Sequence, residues 1–148
     1  MYTERLSEAL AIVACIDPDA NGTGALESDV IDMRYHRRVM FIVQVGTMAS
    51  TSTLDFKVQE GLESDMSDAA DLSGKSITQL TQAGTDSDKQ AIVEVTAEEV
   101  AAAGGRYIWG VMTIAAAASD SGMVAIADSS RFSPASEYDL ASVDEIVA

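Results

Sequence analysis

The sequence predicts a mainly β protein: an antiparallel β-sandwich or a jelly-roll-like barrel, with extended N- and C-terminal arms and at most one or two short helices. Three segments of the middle third support this prediction. Residues 39–45 and 107–114 are apolar on both strand faces, whereas residues 54–60 alternate between apolar and polar side chains. Alternation indicates a half-exposed strand, and a continuous apolar run indicates a strand buried on both faces. Six or seven such strands are typical of two packed sheets or of a barrel.

The individual strands are bounded by glycine, proline, asparagine and aspartate, which favour turns. Strands are predicted over residues 38–45, 53–60, 76–81, 90–96, 106–116 and 122–128, and two shorter segments, 10–16 and 30–33, are weaker candidates. The link between residues 38–45 and residues 53–60 is short, so we expect these two strands to pair as antiparallel neighbours. The connection between the last two strands is also of hairpin length.

The remaining segments are predicted as short helices, loops and a tail. Residues 1–10 can begin a helix with Thr3 as its N-cap, and residues 97–103 form one or two turns that end at two glycines. Residues 61–75 are acidic and turn-rich. The tail, residues 133–148, contains no basic side chain. It is either a mobile tail or an arm that becomes ordered on a partner.

The chain of 148 residues fits one domain. We divide it into an N-terminal arm with a glycine-rich loop (1–29), a β-sandwich core (30–132) and an acidic C-terminal tail (133–148). The single cysteine excludes an intrachain disulfide. The apolar run at residues 9–16 is shorter than the roughly 20 residues that cross a bilayer, and its acidic surroundings do not resemble a signal peptide. We expect no membrane anchor and no secretion signal.

The charge balance is strongly acidic, with 24 Asp and Glu against 9 Lys and Arg and a formal net charge of −15. A field of this sign repels nucleic acid and anionic membranes, so neither is an expected partner. It favours basic protein surfaces or cations. Solubility alone explains the charge equally well.

Basic side chains are concentrated at Arg34, His36, Arg37 and Arg38. In a strand, Arg34, His36 and Arg38 would project to one side and Arg37 to the other. The cluster either contacts an acidic patch on a partner or on the chain's own tail, or balances nearby carboxylates within the monomer. The second interpretation is slightly favoured.

A calcium-loop pattern begins at Asp17, Asp19 and Asn21, whose oxygens alternate before a glycine. The closing carboxylate, Glu27, is the eleventh residue of the pattern, where a calcium loop needs the twelfth. An ordinary turn is therefore the favoured interpretation, and no cofactor is predicted.

Catalytic signatures are missing from the sequence. His36 is the only histidine, so a nucleophilic triad would have to use it, and the neighbouring arginines are expected to lower its pKa. There is no nucleophile elbow, dinucleotide-binding glycine pattern or phosphate loop. We predict that the protein is not an enzyme. Phe41, Tyr107 and Trp109 are expected in the core, because a sugar-binding platform would need them exposed.

Several segments form a pattern that covers most of the chain: Ile16-Asp17-Pro18, Val30-Ile31-Asp32-Met33, Arg38 to Gly46, Leu54 to Glu60, Ile77 to Thr81, Asp86 to Val95, Arg106-Tyr107-Ile108 and Arg131-Phe132-Ser133-Pro134. Their order and spacing resemble small structural proteins of tailed bacteriophages. The resemblance implies a non-enzymatic virion protein of the capsid cement or head decoration type.

Such proteins are made in the host cytoplasm and sit on the outer capsid surface as β-rich oligomers, here a dimer or a trimer. They bind the major capsid protein and stabilise the shell by bridging capsomers. Two alternatives stay open: a tail or head-completion component, and a small carbohydrate- or calcium-binding β module. If the termini are arms, deleting residues 1–14 or 135–148 should weaken shell binding without unfolding the domain.

Overall fold

The computed structural model describes residues 5–128, 130–132 and 134–147. Within these residues, ten strands form two antiparallel sheets, which confirms the predicted β-sandwich with few helices. The strands are β1 (Leu10–Asn21), β2 (Gly24–Glu27), β3 (Ile31–Asp32), β4 (Arg38–Met48), β5 (Thr53–Gly61), β6 (Ala70–Ser76), β7 (Leu80–Thr81), β8 (Gln90–Thr96), β9 (Tyr107–Ala115) and β10 (Ser119–Asp128). The helices are α1 (Leu6–Ala9), α2 (Ala97–Ala103) and a final 3₁₀ helix (Ala135–Tyr138).

The strand order is that of a jelly roll. The first sheet has the order β1-β10-β4-β8 and the second has the order β2-β9-β5-β6, with β3 added to β9 and β7 added to β5. Without the two-residue strands β3 and β7, the eight others, counted along the chain, run 1-8-3-6 and 2-7-4-5. This arrangement of two Greek keys in two sheets defines the jelly roll.

The two predicted hairpins do not form. β4 pairs with β10 and β8, whereas β5 pairs with β9, so the link between β4 and β5 crosses from one sheet to the other. The link between β9 and β10 crosses in the same way. These two crossings lie side by side, because the amide of Ala49 donates to Ala118 O at 3.0 Å and the hydroxyl of Ser52 donates to Ala117 O at 2.9 Å.

The other corrections concern segments whose sequences lack a strong pattern. β6 lies partly in the stretch predicted as a turn-rich loop, and the weak strand predicted after it is reduced to β7. α2 has the predicted bounds, with Thr96 as its N-cap and Gly104 at φ 100° as its C-cap. α1 is a single turn that begins after Arg5, and Thr3 lies outside the described residues.

The core lies between the sheets, where long strands such as β4 and β5 contribute alternate residues. Phe41 of β4 meets Phe56 of β5 with ring centroids 5.7 Å apart. Gly110 of β9 makes room for this pair, because a β-carbon there would lie 2.6 Å from Cζ of Phe56. The two rings therefore join the sheets at the middle of the sandwich.

The predicted arms are parts of the sandwich. β1 is an edge strand of the first sheet and β2 belongs to the second, so residues 10–27 are not an arm with a loop. The start of the tail follows the free edge of β1: Leu140 N donates to Ile12 O at 2.8 Å, and Ile12 N donates to Asp139 Oδ1 at 2.6 Å. This cover protects an edge strand that would otherwise be open to further pairing.

Candidate interaction surface

The outer face of the first sheet is apolar across its middle. Strand register places two rows of outward side chains next to each other: Ile12, Ile126 and Met40, followed by Cys15, Val124, Ile42 and Ile92. Glu94 on the edge strand β8 completes the first row. Ile92 is 62% exposed, whereas Met40, Ile42, Val124 and Ile126 are partly buried against one another.

The inner face of the same strands already supplies the core, through buried residues such as Val39, Phe41 and Val43. An antiparallel sheet with one solvated face normally alternates between apolar and polar side chains. A contiguous apolar patch on the outside instead marks a surface for an interaction partner. We call the two rows the apolar face.

One end of the apolar face is acidic. An open groove of about 500 Å³ lies beyond Gln44, and it is lined by the carboxylates of Asp19, Asp88 and Asp120. Its wall includes a bulge in β1, which brings Pro18 close to Gly122 of β10. A β-carbon at Gly122 would lie 2.9 Å from the Pro18 Cα, so the bulge requires glycine there. We call this end the acidic groove.

The opposite end is basic. Arg37 lines two grooves there, of about 320 and 470 Å³, the first with Arg38 and the second with Arg34 and Arg131. Arg38 forms a salt bridge with Asp128, and Arg34 forms one with Asp32 at 3.6 Å. In the part of the chain that the structure describes, Arg37 and Arg131 form no salt bridge. These four arginines are called the basic end.

The basic cluster does not follow the alternation expected of a strand, because residues 33–37 form a turn. Asp32 stabilises that turn by accepting from Arg34 N at 2.9 Å through its side chain and from Tyr35 N at 3.1 Å through its carbonyl. The same carboxylate accepts two hydrogen bonds from Arg106, at 3.1 and 2.6 Å. Burial raises the pKa of Asp32, but the hydrogen bonds from Arg106 and Arg34 outweigh it and lower the pKa below its ordinary value.

His36 is buried and does not share the surface with the arginines. Its Nδ1 lies 3.2 Å from Ser130 Oγ, and Tyr138 meets its ring edge-on at a centroid distance of 5.1 Å. Burial lowers the pKa of His36, and the carboxylate of Asp32 partly opposes this shift. The pKa of His36 is therefore lowered as predicted, but the cause is burial and not the neighbouring arginines. His36 packs against Tyr138 of the C-terminal segment and lies largely buried in the groove that Arg34, Arg37 and Arg131 line.

The free energy of unfolding should fall as the pH is lowered from about 7 to about 5.5. An unfolded chain protonates its histidine near pH 6.5, and burial holds the pKa of His36 below that value in the fold. The unfolded state therefore binds more protons in this window, and the stabilisation present above it is lost. Urea unfolding at several pH values measures the effect.

The control is His36→Gln, which should flatten the profile in that window. Carboxylates with lowered pKa values, such as Asp32 and Asp86, act at lower pH, because their unfolded values lie near 4. Parallel profiles for the two proteins would contradict the assignment to His36.

The residues of the calcium-loop pattern lie on two strands and do not form a loop. Asp17 and Asp19 lie on β1, Asn21 ends that strand, and Glu27 ends β2. Asn21 Nδ2 donates to Ser121 O at 2.8 Å, which ties this end of β1 to β10. The favoured ordinary turn is therefore also wrong for residues 17–21. Among the described side chains, no group of three or more His, Cys, Asp or Glu could hold a metal ion.

Two of the three aromatic residues expected in the core lie outside it. Phe41 is fully buried, but Tyr107 and Trp109 are only partly buried. Trp109 Nε1 donates to Gln59 Oε1 on the neighbouring strand at 2.9 Å. The guanidinium of Arg106 lies 4.7 Å from the Tyr107 ring centroid. Each ring is therefore held by a neighbouring side chain, Trp109 by Gln59 and Tyr107 by Arg106.

Cys15 lies on the apolar face and is partly buried. Burial raises the pKa of its thiol, and the carboxylates of Asp29 and Asp17 raise it further. The thiol is therefore uncharged at neutral pH and acts as a small apolar group.

None of the helices in the described residues is long and apolar enough to span a membrane.

Comparison with known proteins gives distant structural likenesses only. No family model matches the chain, and no curated protein sequence matches it. A chain of the infectious bursal disease virus Gx strain superposes with a TM-score of 0.41 and 11% identity, covering 85% of this chain and 34% of that one. The VP2 subviral particle of infectious bursal disease virus gives 0.46 and 12%, covering 79% and 31%. The crystal structure of PirA gives 0.39 and 18%, covering 78% and 89%.

The chain thus spans about a third of the length of the two viral chains. At TM-scores below 0.5, these likenesses carry no argument about function. The jelly-roll assignment rests on the strand order of this chain.

The structure brings only some of the candidate site residues predicted from the sequence close together. It brings Arg34, Arg37 and Arg38 together at one end, buries His36, and spreads the calcium pattern along two strands. Sequence reasoning missed Arg131 and the acidic groove. The signal for the apolar face was present in the continuous apolar run of residues 39–45.

Proposed function

We propose that the protein is a non-enzymatic structural protein of a tailed-phage virion, a cement or decoration protein that binds the major capsid protein on the outer surface of the shell. The apolar face carries this proposal. The first sheet has two apolar faces, and the core of the domain uses only one of them. Apolar surface of this kind becomes stable when another protein covers it. A module built for assembly fits a shell-stabilising role.

The charge of the chain supports a location on the outer surface of the shell. A protein with a net charge of −15 is repelled by packaged DNA, whose phosphates have the same sign. The resemblance of the chain's segments to small phage structural proteins supports the same location. Many copies on a regular lattice would make each weak contact effective through avidity.

Within the basic end, Arg131 is the residue that we assign to an acidic patch of the shell. Arg131 is exposed, and within the described residues it forms no salt bridge, so no internal carboxylate competes for it. Electrostatic complementarity of this kind orients a partner and speeds association more than it adds affinity. Binding should therefore weaken as salt is raised.

The test mixes the purified protein with shells that lack it and sediments them through a gradient. We expect stoichiometric co-sedimentation, and shells that then withstand a higher temperature. Arg131→Glu should weaken binding about tenfold through like-charge contact. Lys57→Glu is the matched control, because it makes the same charge change in the second sheet, where Lys57 pairs with Asp71 at 2.7 Å.

Failure of the wild-type protein to bind at both low and moderate salt would overturn the proposal. Equal binding by Arg131→Glu and the wild type would remove the basic end from the contact. Circular dichroism of each variant shows that the fold is retained.

A further inference from the structure

We infer that the apolar face is covered by a second copy of this chain, packed face to face with its strands running in the opposite direction. The inference deepens the proposed function, on which it rests for the premise that this face is an assembly surface. It names the partner of the face. A pair of copies would also present two identical shell-binding surfaces, which is the bivalent arrangement that bridging of capsomers needs.

The apolar rows suit a two-fold contact. In such a contact the same patch is used by both copies, so the patch must be complementary to itself. A two-fold axis in the plane of the interface and perpendicular to the strands would pass between the two rows. It would place the Ile12, Ile126 and Met40 row of one copy on the Ile42, Val124 and Ile92 row of the other. Glu94 lies on the edge strand, where its carboxylate can reach solvent at the rim.

Charge selects the direction of the strands. Along β4, the apolar face runs from Arg38 at the basic end to Gly46 at the acidic groove. Reversing the second copy brings Arg37 and Arg38 of each copy onto the acidic groove of the other. The alternative two-fold axis, parallel to the strands, would set the acidic groove of one copy against the acidic groove of the other. Like charges placed across an interface oppose association, whereas opposite charges fix its register.

The unpaired arginine is well placed for this contact. Arg37 lines the groove that borders Arg38 and Thr96, which form the last outward row of the face. The carboxylates of the acidic groove, Asp19, Asp88 and Asp120, lie at the opposite end. In the described residues, Arg37 forms no salt bridge, and Glu98 lines the same groove. The acidic groove of the second copy supplies a carboxylate partner for Arg37.

The size of the face predicts a weak dimer. Four strands about 4.8 Å apart, with about 3.3 Å per residue along them, give a face roughly 19 Å wide and 25 Å long. The two copies together would bury on the order of 1,000 Å², at the lower end of specific interfaces. The net charge of each copy opposes the approach at low ionic strength. At about 0.15 M salt the Debye length is about 8 Å, so short-range contacts dominate.

Sedimentation equilibrium of the full chain at about 0.15 M salt, over about 1 to 500 μM, tests the pairing. We expect the wild type to pass from monomer to dimer across this range. Ile92→Glu should raise the dimer dissociation constant by more than about tenfold, because the reversed arrangement sets residue 92 of one copy against Glu94 of the other, so the new carboxylate meets a like charge. Leu62→Glu is the matched control: Leu62 is also 62% exposed but lies outside the face, so its dimer should persist.

A charge exchange tests the direction of the strands. Arg37→Glu and Asp120→Arg should each raise the dissociation constant several-fold, and the double variant should restore it. Restoration supports the reversed arrangement, because residue 37 of each copy then meets residue 120 of the other. Additive weakening in the double variant would overturn that arrangement.

The outcomes separate this inference from the proposed function. A wild-type protein that stays monomeric throughout, or an Ile92→Glu variant that dimerises as the wild type does, overturns the inference. Co-sedimentation of the wild type with shells then still decides the proposed function. A protein that dimerises but does not bind shells overturns the proposed function alone.

Discussion

Replacement of Phe56 by alanine is expected to lower the free energy of unfolding by about 3–5 kcal/mol. The side chain is fully buried, and its ring lies between Phe41 of the opposite sheet and the backbone of Gly110. β5 is paired with β9 on one side and with β6 and β7 on the other, so the strand cannot move inward to fill the cavity. Urea unfolding at neutral pH, followed by circular dichroism, gives the difference.

Phe132→Ala is the matched control for that substitution. It removes the same atoms from a side chain that is 61% exposed, so the expected change lies within about 0.5 kcal/mol. A loss below about 1 kcal/mol for Phe56→Ala would mean that this pair of rings does not join the sheets. A similar loss for both substitutions would point to an effect on the unfolded state.

The positions of the long strands could be predicted from the sequence, but their partners could not. Residues 38–45, 53–60 and 90–96 show apolar periodicity, and β4, β5 and β8 lie there. The links between strands are about equally short whether the chain returns in the same sheet or crosses to the other. Neighbouring strands lie about 4.8 Å apart and packed sheets about 10 Å apart, and a few residues span either distance.

Local turn chemistry was overridden where a long strand supplied pairing partners. The segment from Asp17 to Asn21 has turn-forming residues, yet β1 continues through it with a bulge because β10 lies alongside. The hydrogen bonds to β10 and the burial of Ile16 outweigh the local preference. A partner more than 90 residues away in the chain cannot be read from a five-residue motif.

The interaction surface could be predicted only in its parts. The arginines at residues 34, 37 and 38 are neighbours in sequence, so their grouping was visible. Arg131 joins them only because the segment after β10 returns to Tyr35, where Arg131 N donates to Tyr35 O at 2.7 Å. The apolar face needs the register of four strands, in particular the pairing of Ile42 with both Val124 and Ile92. The sequence shows that β4 is apolar on both faces but not which residues surround it.

Deletion of residues 1–14 is expected to unfold the domain, contrary to the idea of a free N-terminal arm. The deletion removes the first half of β1, including the buried side chains of Ala11, Val13 and Ala14, and exposes the flank of β10. It also removes the edge on which Leu140 and Asp139 are held. The expected loss exceeds about 5 kcal/mol, which is comparable with the whole stability of many domains. Thermal unfolding followed by circular dichroism measures it.

Truncation after Leu140 is the control at the other end of the chain. Of the residues removed, 141, 142 and 144–147 are exposed, and the cover over β1 is retained, so the unfolding temperature should change little. A folded protein after deletion of residues 1–14 would show that β1 is dispensable, and would restore the arm interpretation. If the deletion unfolds the domain, loss of shell binding in that variant reports on folding, because the same residues build the sheet that carries the apolar face. Shell contacts must then be tested by a substitution at an exposed position outside the apolar face, such as Arg131→Glu, which leaves the strands intact.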